Sequence, residues 1–183
     1  MKVIKTPIEG LLIVEPRVFK DNRGYFFESY NKKLYEANGI KDDFVQDNQS
    51  FSSYGVIRGL HYQLNPFAQS KLVRVLQGKI FDVAVDLRKG SKTFGKWFGV
   101  ELSAENFRQL YIPRGFAHGF SVLSETAIVF YKCDNYYAPD YERGIIYNDS
   151  FLNIDWKIPA GKEIISEKDM KNLPFTDAEM NFE

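Results

Sequence analysis

Between Lys71 and Cys133 the chain repeats one pattern: a short run with apolar residues at alternate positions, closed by a turn. Lys71–Leu76 ends at Gln77-Gly78, Ile80–Arg88 at Gly90-Ser91, and Trp97–Leu102 at Ser103–Asn106. Gln109–Ile112 leads to Pro113-Arg114-Gly115, and His118–Leu123 turns at Ser124-Glu125 into Ala127–Cys133. A period of two in runs this short predicts strands, and tight turns join strands antiparallel. In Ile80–Arg88, Phe81, Val83, Val85 and Leu87 share one face, with Asp82, Asp86 and Arg88 opposite. No long helical runs alternate with the strands, which disfavours a parallel α/β sheet. The expectation is an all-β antiparallel sandwich or barrel, and 16 Phe and 11 Tyr suit pleated surfaces.

The flanks are less regular. Gly10–Val18 reads as a strand interrupted by Pro16, Asp21-Asn22-Arg23-Gly24 as a turn, and Tyr25–Tyr30 as an aromatic strand. Glu28 would share a face with Phe26, and Arg23 and Glu28 would stand near one cavity; a surface turn with a solvated charge pair is the competing reading. Asn31–Asn38 predicts a short helix, N-capped by Asn31, stopped by Gly39, with Leu34 and Tyr35 inward. Phe44–Ser53 is polar yet strand-forming. Gln46 and Asn48 fall on one side of it, suited either to hydrogen bonding a polar ligand or to an edge strand facing water. After Tyr136 the pattern loosens into a strand over Gly144–Asn148, a Trp156–Pro159 segment and a charged end, Ser166–Glu183, read as a short helix with a loose tail. Length and 44% hydrophobic residues suit one domain, 1–183.

Composition excludes several partners. Lys+Arg and Asp+Glu balance at 24 each, so no net basic field addresses nucleic acid or an anionic membrane. The single cysteine, Cys133, forbids an intramolecular disulfide, and a reducing, cytoplasmic compartment is the expectation. Leu11–Val14 is too short for a signal-peptide core, and no apolar run approaches a membrane span.

Chemistry concentrates in Gly55–Lys71, which holds one of only two histidines, His61, near Arg58 and ten residues before Lys71. A titratable base beside two cations suits removing a proton from something anionic. Two histidines without an HxH pair make a transition-metal site the minority reading. No G-x-S-x-G elbow, P-loop or G-x-G-x-x-G is present, and Cys133 has no histidine beside it in sequence. General acid–base chemistry remains, with His61 as base. By itself, His118 in PRGFAHGF reads equally as structural, and Tyr131 reads as core.

Taken together, several runs resemble the dTDP-4-dehydrorhamnose 3,5-epimerases, a cupin-like jelly-roll family of nucleotide-sugar enzymes. They are DNRGYFFE at 21–28, FVQDNQS at 44–50, GVIRGLHYQ at 55–63, KLVRV at 71–75, GKIFDVAVDLR at 78–88 and IPRGFAHGF at 112–120, followed by YKCDNYY at 131–137, ERGI at 142–145, ND at 148–149, IDW at 154–156 and SEKD at 166–169. The resemblance spans nearly the whole chain and implies an antiparallel jelly-roll barrel with short peripheral helices. It makes His61 the base, Asp169 its carboxylate partner, Tyr131 the acid on the opposite face and Lys71 the neighbour of the C4 oxygen. Arg23, Glu28, Gln46, Asn48, Arg58, His118, Glu142 and Lys168 become substrate-binding positions, with Lys71 shared and Tyr137 as a further sugar or base contact. It also implies a homodimer, a dTDP-4-keto-6-deoxy sugar as substrate, no cofactor and no metal. The same residues would serve an enzyme inverting only C3 or C5. A non-catalytic nucleotide-sugar-binding module and a metal-dependent cupin oxygenase are the competing functions.

Overall fold

The computed structural model describes residues 1–183. Its strands are β1 (Lys2–Lys5), β2 (Leu12–Glu15), β3 (Phe19–Asp21), β4 (Gly24–Phe26), β5 (Gln46–Ser53), β6 (Ile57–Gln63), β7 (Lys71–Gln77), β8 (Lys79–Asp86), β9 (Trp97–Ser103), β10 (Gln109–Ile112), β11 (Phe116–Val122), β12 (Thr126–Cys133) and β13 (Glu142–Gly144); one helix, α1 (Lys32–Glu36), lies between β4 and β5. Six strands form one sheet in the order β1-β2-β10-β7-β12-β5, and five form a second in the order β13-β6-β11-β8-β9. Every strand pairing is antiparallel. The two sheets face each other around a shared apolar interior that includes Ile13, Val73, Val75, Leu110, Ala127 and Val129 from one sheet and Ile80, Ala84, Leu102, Phe116, Phe120 and Val122 from the other. This is the antiparallel jelly-roll barrel that the resemblance implied.

Alternation along each strand explains how one barrel holds both a core and a site. On β7 the inward series runs Lys71, Val73, Val75; on β12 it runs Ala127, Val129, Tyr131; on β11 it runs Phe116, His118, Phe120, Val122. One end of the interior is therefore hydrocarbon, and the other, on the same faces, is polar. Both outer faces are partly covered. Val83, Val85 and Leu87 pack outside the five-stranded sheet against Ile145, Leu152, Trp156, Phe175 and Phe182. Tyr35 and Ile40 pack on Val14, Leu72 and Tyr111 outside the six-stranded sheet.

Several expectations needed correction. β1 lies outside every predicted strand, and it pairs with β2 from Lys2↔Glu15 to Lys5↔Leu12. The aromatic strand stops at Phe26, so Glu28 lies beyond it. α1 is capped by Asn31, whose side chain accepts from the Leu34 amide, but only Tyr35 is buried; Leu34 is exposed. The strand expected at Gly144–Asn148 is instead β13, Glu142–Gly144, because pairing with β6 covers only those positions. The C-terminal tail is docked: Phe182 is 5% exposed and packs near Tyr62, and the Asn65 and Asn181 amides bond reciprocally.

Candidate active site

The polar end of the barrel is two adjoining cavities that share His61, Lys71 and Tyr131. The larger, of about 220 Å³, is also lined by Gln46, Asn48, Gln63, Gln69, Tyr137 and Glu142. The smaller, of about 140 Å³, adds Ser50, Arg58, His118 and Phe120. Larger depressions along Phe19–Phe26 and around Tyr147–Glu163 contain no histidine, so volume alone misplaces the chemistry.

His61 stands on β6 and half-faces the cavity, its side chain 31% exposed. Its Nε2 lies 2.6 Å from Asp169 Oδ1, on a 3₁₀ turn formed by Asp169–Lys171. Asp169 Oδ2 also accepts from the Gly59 amide at 3.3 Å. Burial pushes the Asp169 carboxyl up, but the His61 imidazole, the Gly59 amide and the Ser166 side chain together outweigh it and hold it below its usual range. The carboxylate is thus ionised at neutral pH, accepts the Nε2 proton and leaves Nδ1 as the basic ring atom.

The ring's position depends on how closely β6 approaches β11. Gly59 has φ +117°, and a Cβ there would lie 2.6 Å from Gly119 Cα and 2.7 Å from the His118 carbonyl oxygen. No side chain fits. This contact accompanies a register shift between His118 and Phe120, and it sets His118 directly across from His61. His118 Nε2 lies 2.7 Å from Asp82 Oδ1, so both histidines carry a carboxylate partner.

Lys71 and Tyr131 enter from the opposite sheet. The Lys71 ammonium is 5.8 Å from the centre of the Tyr131 ring, and that ring is 6.5 Å from the ring of His118. Burial lowers the Lys71 pKa, with Cys133, Asp82 and Glu142 opposing the shift. Burial chiefly raises Tyr131, which keeps its phenol protonated as a proton donor requires.

Around the mouth, Gln46 donates to Asn48 Oδ1 at 3.1 Å and accepts the Tyr137 amide at 3.0 Å. Tyr137 Oη donates to Glu142 Oε2 at 2.9 Å, and Lys168 pairs with the same oxygen. Burial raises the Glu142 carboxyl, yet Lys168 and Tyr137 bring it below its ordinary value. Arg58 donates to Ser52 Oγ at 3.0 Å and to the Phe51 carbonyl. Thus Gln46, Asn48, Arg58, His61, Lys71, His118, Tyr131, Tyr137, Glu142, Lys168 and Asp169 gather in one region.

Arg23 and Glu28 do not join them. Arg23 sits at the tip of the separate β3–β4 hairpin and pairs with Asp21, while Glu28 accepts from Asn31 and borders a depression with Met1, Pro16 and Arg17. The hairpin belongs to neither large sheet, so a shared strand face could not carry those two residues into the barrel. Sequence reasoning missed Gln63 and Asp82. Gln63 is two residues after His61 on the same strand, a spacing that marks the same face. Asp82 is on the inward face of β8, but its partner is 36 positions away and carries no local signal. No three His, Cys, Asp or Glu side chains converge in a way that could hold a metal ion.

Known proteins match along this whole length. A sequence profile described as dTDP-4-dehydrorhamnose 3,5-epimerase matches residues 5–177. The dTDP-4-dehydrorhamnose 3,5-epimerase of Shigella flexneri is 57% identical over 180 residues, covering 98% of each chain. The crystal structure of the enzyme of that name from Elizabethkingia anophelis is 58% identical with a TM-score of 0.92, covering 97% of each chain. The structure of the Legionella pneumophila dTDP-6-deoxy-D-glucose-3,5-epimerase in complex with dTDP-4-keto-L-rhamnose is 52% identical, TM-score 0.91, over 94% of this chain and 92% of that one. With 57% identity to one epimerase spread over 98% of its length, and a family profile spanning 5–177, the chain belongs to the dTDP-4-dehydrorhamnose 3,5-epimerase family.

Proposed function

We propose that the protein converts dTDP-4-dehydro-6-deoxy-D-glucose into dTDP-4-dehydro-L-rhamnose by removing and returning protons at C3 and C5. One observation carries the reading: His61 on one sheet, paired with Asp169, faces a half-buried Tyr131 that stands beside Lys71 on the other sheet. A C4 ketone acidifies the hydrogens on C3 and C5, because losing either gives an enolate whose charge rests on oxygen. His61 Nδ1 takes the proton, and Asp169 steadies the imidazolium that forms. The Lys71 ammonium stabilises the enolate oxygen, a kind of contact worth roughly a hundredfold or more in rate. Tyr131 returns a proton from the far side, so the carbon is inverted. The ketone is the electron sink, and the reaction needs no redox partner or metal.

The remaining residues hold the nucleotide-sugar. Arg58 suits a diphosphate oxygen. Gln46, Asn48, His118, Glu142 and Lys168 offer hydrogen bonds to the sugar and phosphates, and the exposed Tyr137 ring at the mouth offers a surface for the base. The deciding experiment is incubation with the 4-keto sugar in deuterated water, followed by NMR. Deuterium at C3 and C5 is the expected result; label at one carbon makes the protein a single-centre epimerase, and no label makes it a binding module.

The same reading takes 1–183 as one domain, supported by the docking of the C-terminal Phe182 against the barrel, and places it in the reducing cytoplasm, supported by the lone buried thiol of Cys133. No helix is long and apolar enough to cross a membrane. It also takes the active form as a homodimer. Phe51 and Phe26 are 62% and 67% exposed, and Arg74 holds two buried nitrogens without partners between Phe27 and Phe130. Sedimentation showing only single chains at micromolar concentration would remove the dimer.

A further inference from the structure

Beside the pair assigned to proton abstraction stands a second histidine–carboxylate pair. His118 Nε2 donates to Asp82 Oδ1 at 2.7 Å, and His118 lies directly across from His61 in the β6–β11 register. The His118 and Asp82 side chains are 7% and 0% exposed. Asp82 occupies the inward face of β8 between Ile80 and Ala84, both members of the apolar interior. Its second oxygen, Oδ2, is buried and makes no hydrogen bond.

We propose that Asp82 is a positioning residue of this site: it holds the His118 ring with its proton on Nε2 and supplies the buried negative charge opposite Lys71. The inference rests on the epimerase reading, which it deepens.

Three observations carry it. An apolar side chain flanked by Ile80 and Ala84 would pack without desolvating a charge, so a carboxylate there works against burial. An orphaned buried oxygen also calls for a physical reason. Lys71 supplies one: it has no ion-pair partner of its own, and Asp82 is one of the few negative groups whose charge reaches it. Finally, a carboxylate only accepts, so Asp82 assigns the Nε2 proton and turns Nδ1 of His118 into an acceptor. A sugar hydroxyl in the smaller cavity would then donate to His118, while Lys71 donates to the ketone oxygen. Carboxylates that orient metal-binding histidines are typically worth about tenfold to a hundredfold in activity, and the same ordering of a ring sets the scale expected for Asp82.

The test is Asp82→Asn, which keeps the shape and removes the charge. The expected result is a kcat lowered about tenfold to a hundredfold with KM moved much less, dTDP affinity retained, and the His118 ring still in the Nε2–H form in ¹⁵N-edited NMR, because the asparagine oxygen accepts that proton while the charge is gone. Unchanged kcat overturns the proposal. Equal losses in kcat and dTDP affinity overturn it as well, since they would make Asp82 merely structural. Should Asp82→Asn fail to fold, the wild-type spectrum decides: an Nε2–H on His118 supports the role, and an Nδ1–H removes it. Deuterium wash-in by the wild-type protein separates the two levels, since its absence would sink the epimerase reading while the tautomer still reports on Asp82.

Discussion

Replacing Asp169 with asparagine removes one charge and keeps the shape. The carboxylate lies 2.6 Å from His61 Nε2, and the residue is 3% exposed, so solvent does little to screen the pair. Two unit charges with centres roughly 4 Å apart attract by about 4 kcal/mol at an effective dielectric near 20. The asparagine oxygen still accepts a hydrogen bond from the ring, which retains about 1 kcal/mol. About 3 kcal/mol of stabilisation of the His61 imidazolium is therefore lost, and this cation exists only once the substrate proton has been taken. At about 1.4 kcal/mol per tenfold, kcat falls roughly a hundredfold. Substrate binding precedes that charge, so the affinity for dTDP stays near the wild-type value. Rates of deuterium incorporation by NMR measure the first quantity, and calorimetric titration with dTDP measures the second. The Gly59 amide also bonds Asp169, so a urea unfolding curve must accompany both. If Asp169→Asn turned over within threefold of wild type while folded, His61 would not be working through this carboxylate. Equal losses in dTDP affinity and kcat would make Asp169 merely structural.

Other outcomes follow from the same geometry. Burial sets the Lys71 pKa below its ordinary 10.5; protonated Lys71 is the active form, so kcat declines as pH rises through that lowered value, and Lys71→Met loses both this alkaline limb and roughly a hundredfold in rate. Tyr131 is raised above 10.0 and so does not set that limb. In Tyr131→Phe, dTDP binding and proton abstraction persist while inverted product falls by roughly a hundredfold or more, read by comparing isotope exchange with product formation; full inversion would move the acid elsewhere. Gly59→Ala places a methyl 2.6 Å from Gly119 Cα at φ +117°, and strain plus overpacking costs about 3 kcal/mol or more, visible as a lowered urea midpoint.

The strands were legible because they are local. Period-two alternation in Lys71–Cys133 predicts β7 to β12 to within a few residues, and the spacing of Gln46 and Asn48 predicts their shared face. The nearness of His61 and Arg58 in one stretch was equally plain. Failures fall where the determinant is remote. Glu142–Gly144 forms a strand because β6 offers an edge, not because its residues favour one. The tail from Ser166 is charged, yet it is anchored by Phe175 and Phe182 on a surface no local pattern reveals.

What the chain's own alternation determined is which side chains travel together: Lys71 with Val73 and Val75, Tyr131 with Val129, His118 with Phe120. A pleated strand imposes that grouping wherever it is placed. Which groups meet was decided by the sheets. Asp169 reaches His61 across 108 positions, and Asp82 reaches His118 across 36. Pairing order and sheet stacking are set by burying the whole apolar interior at once, a cooperative condition that no short window contains. The sequence alone carried the base and the lysine; the barrel decided that the acid would stand on the opposite wall.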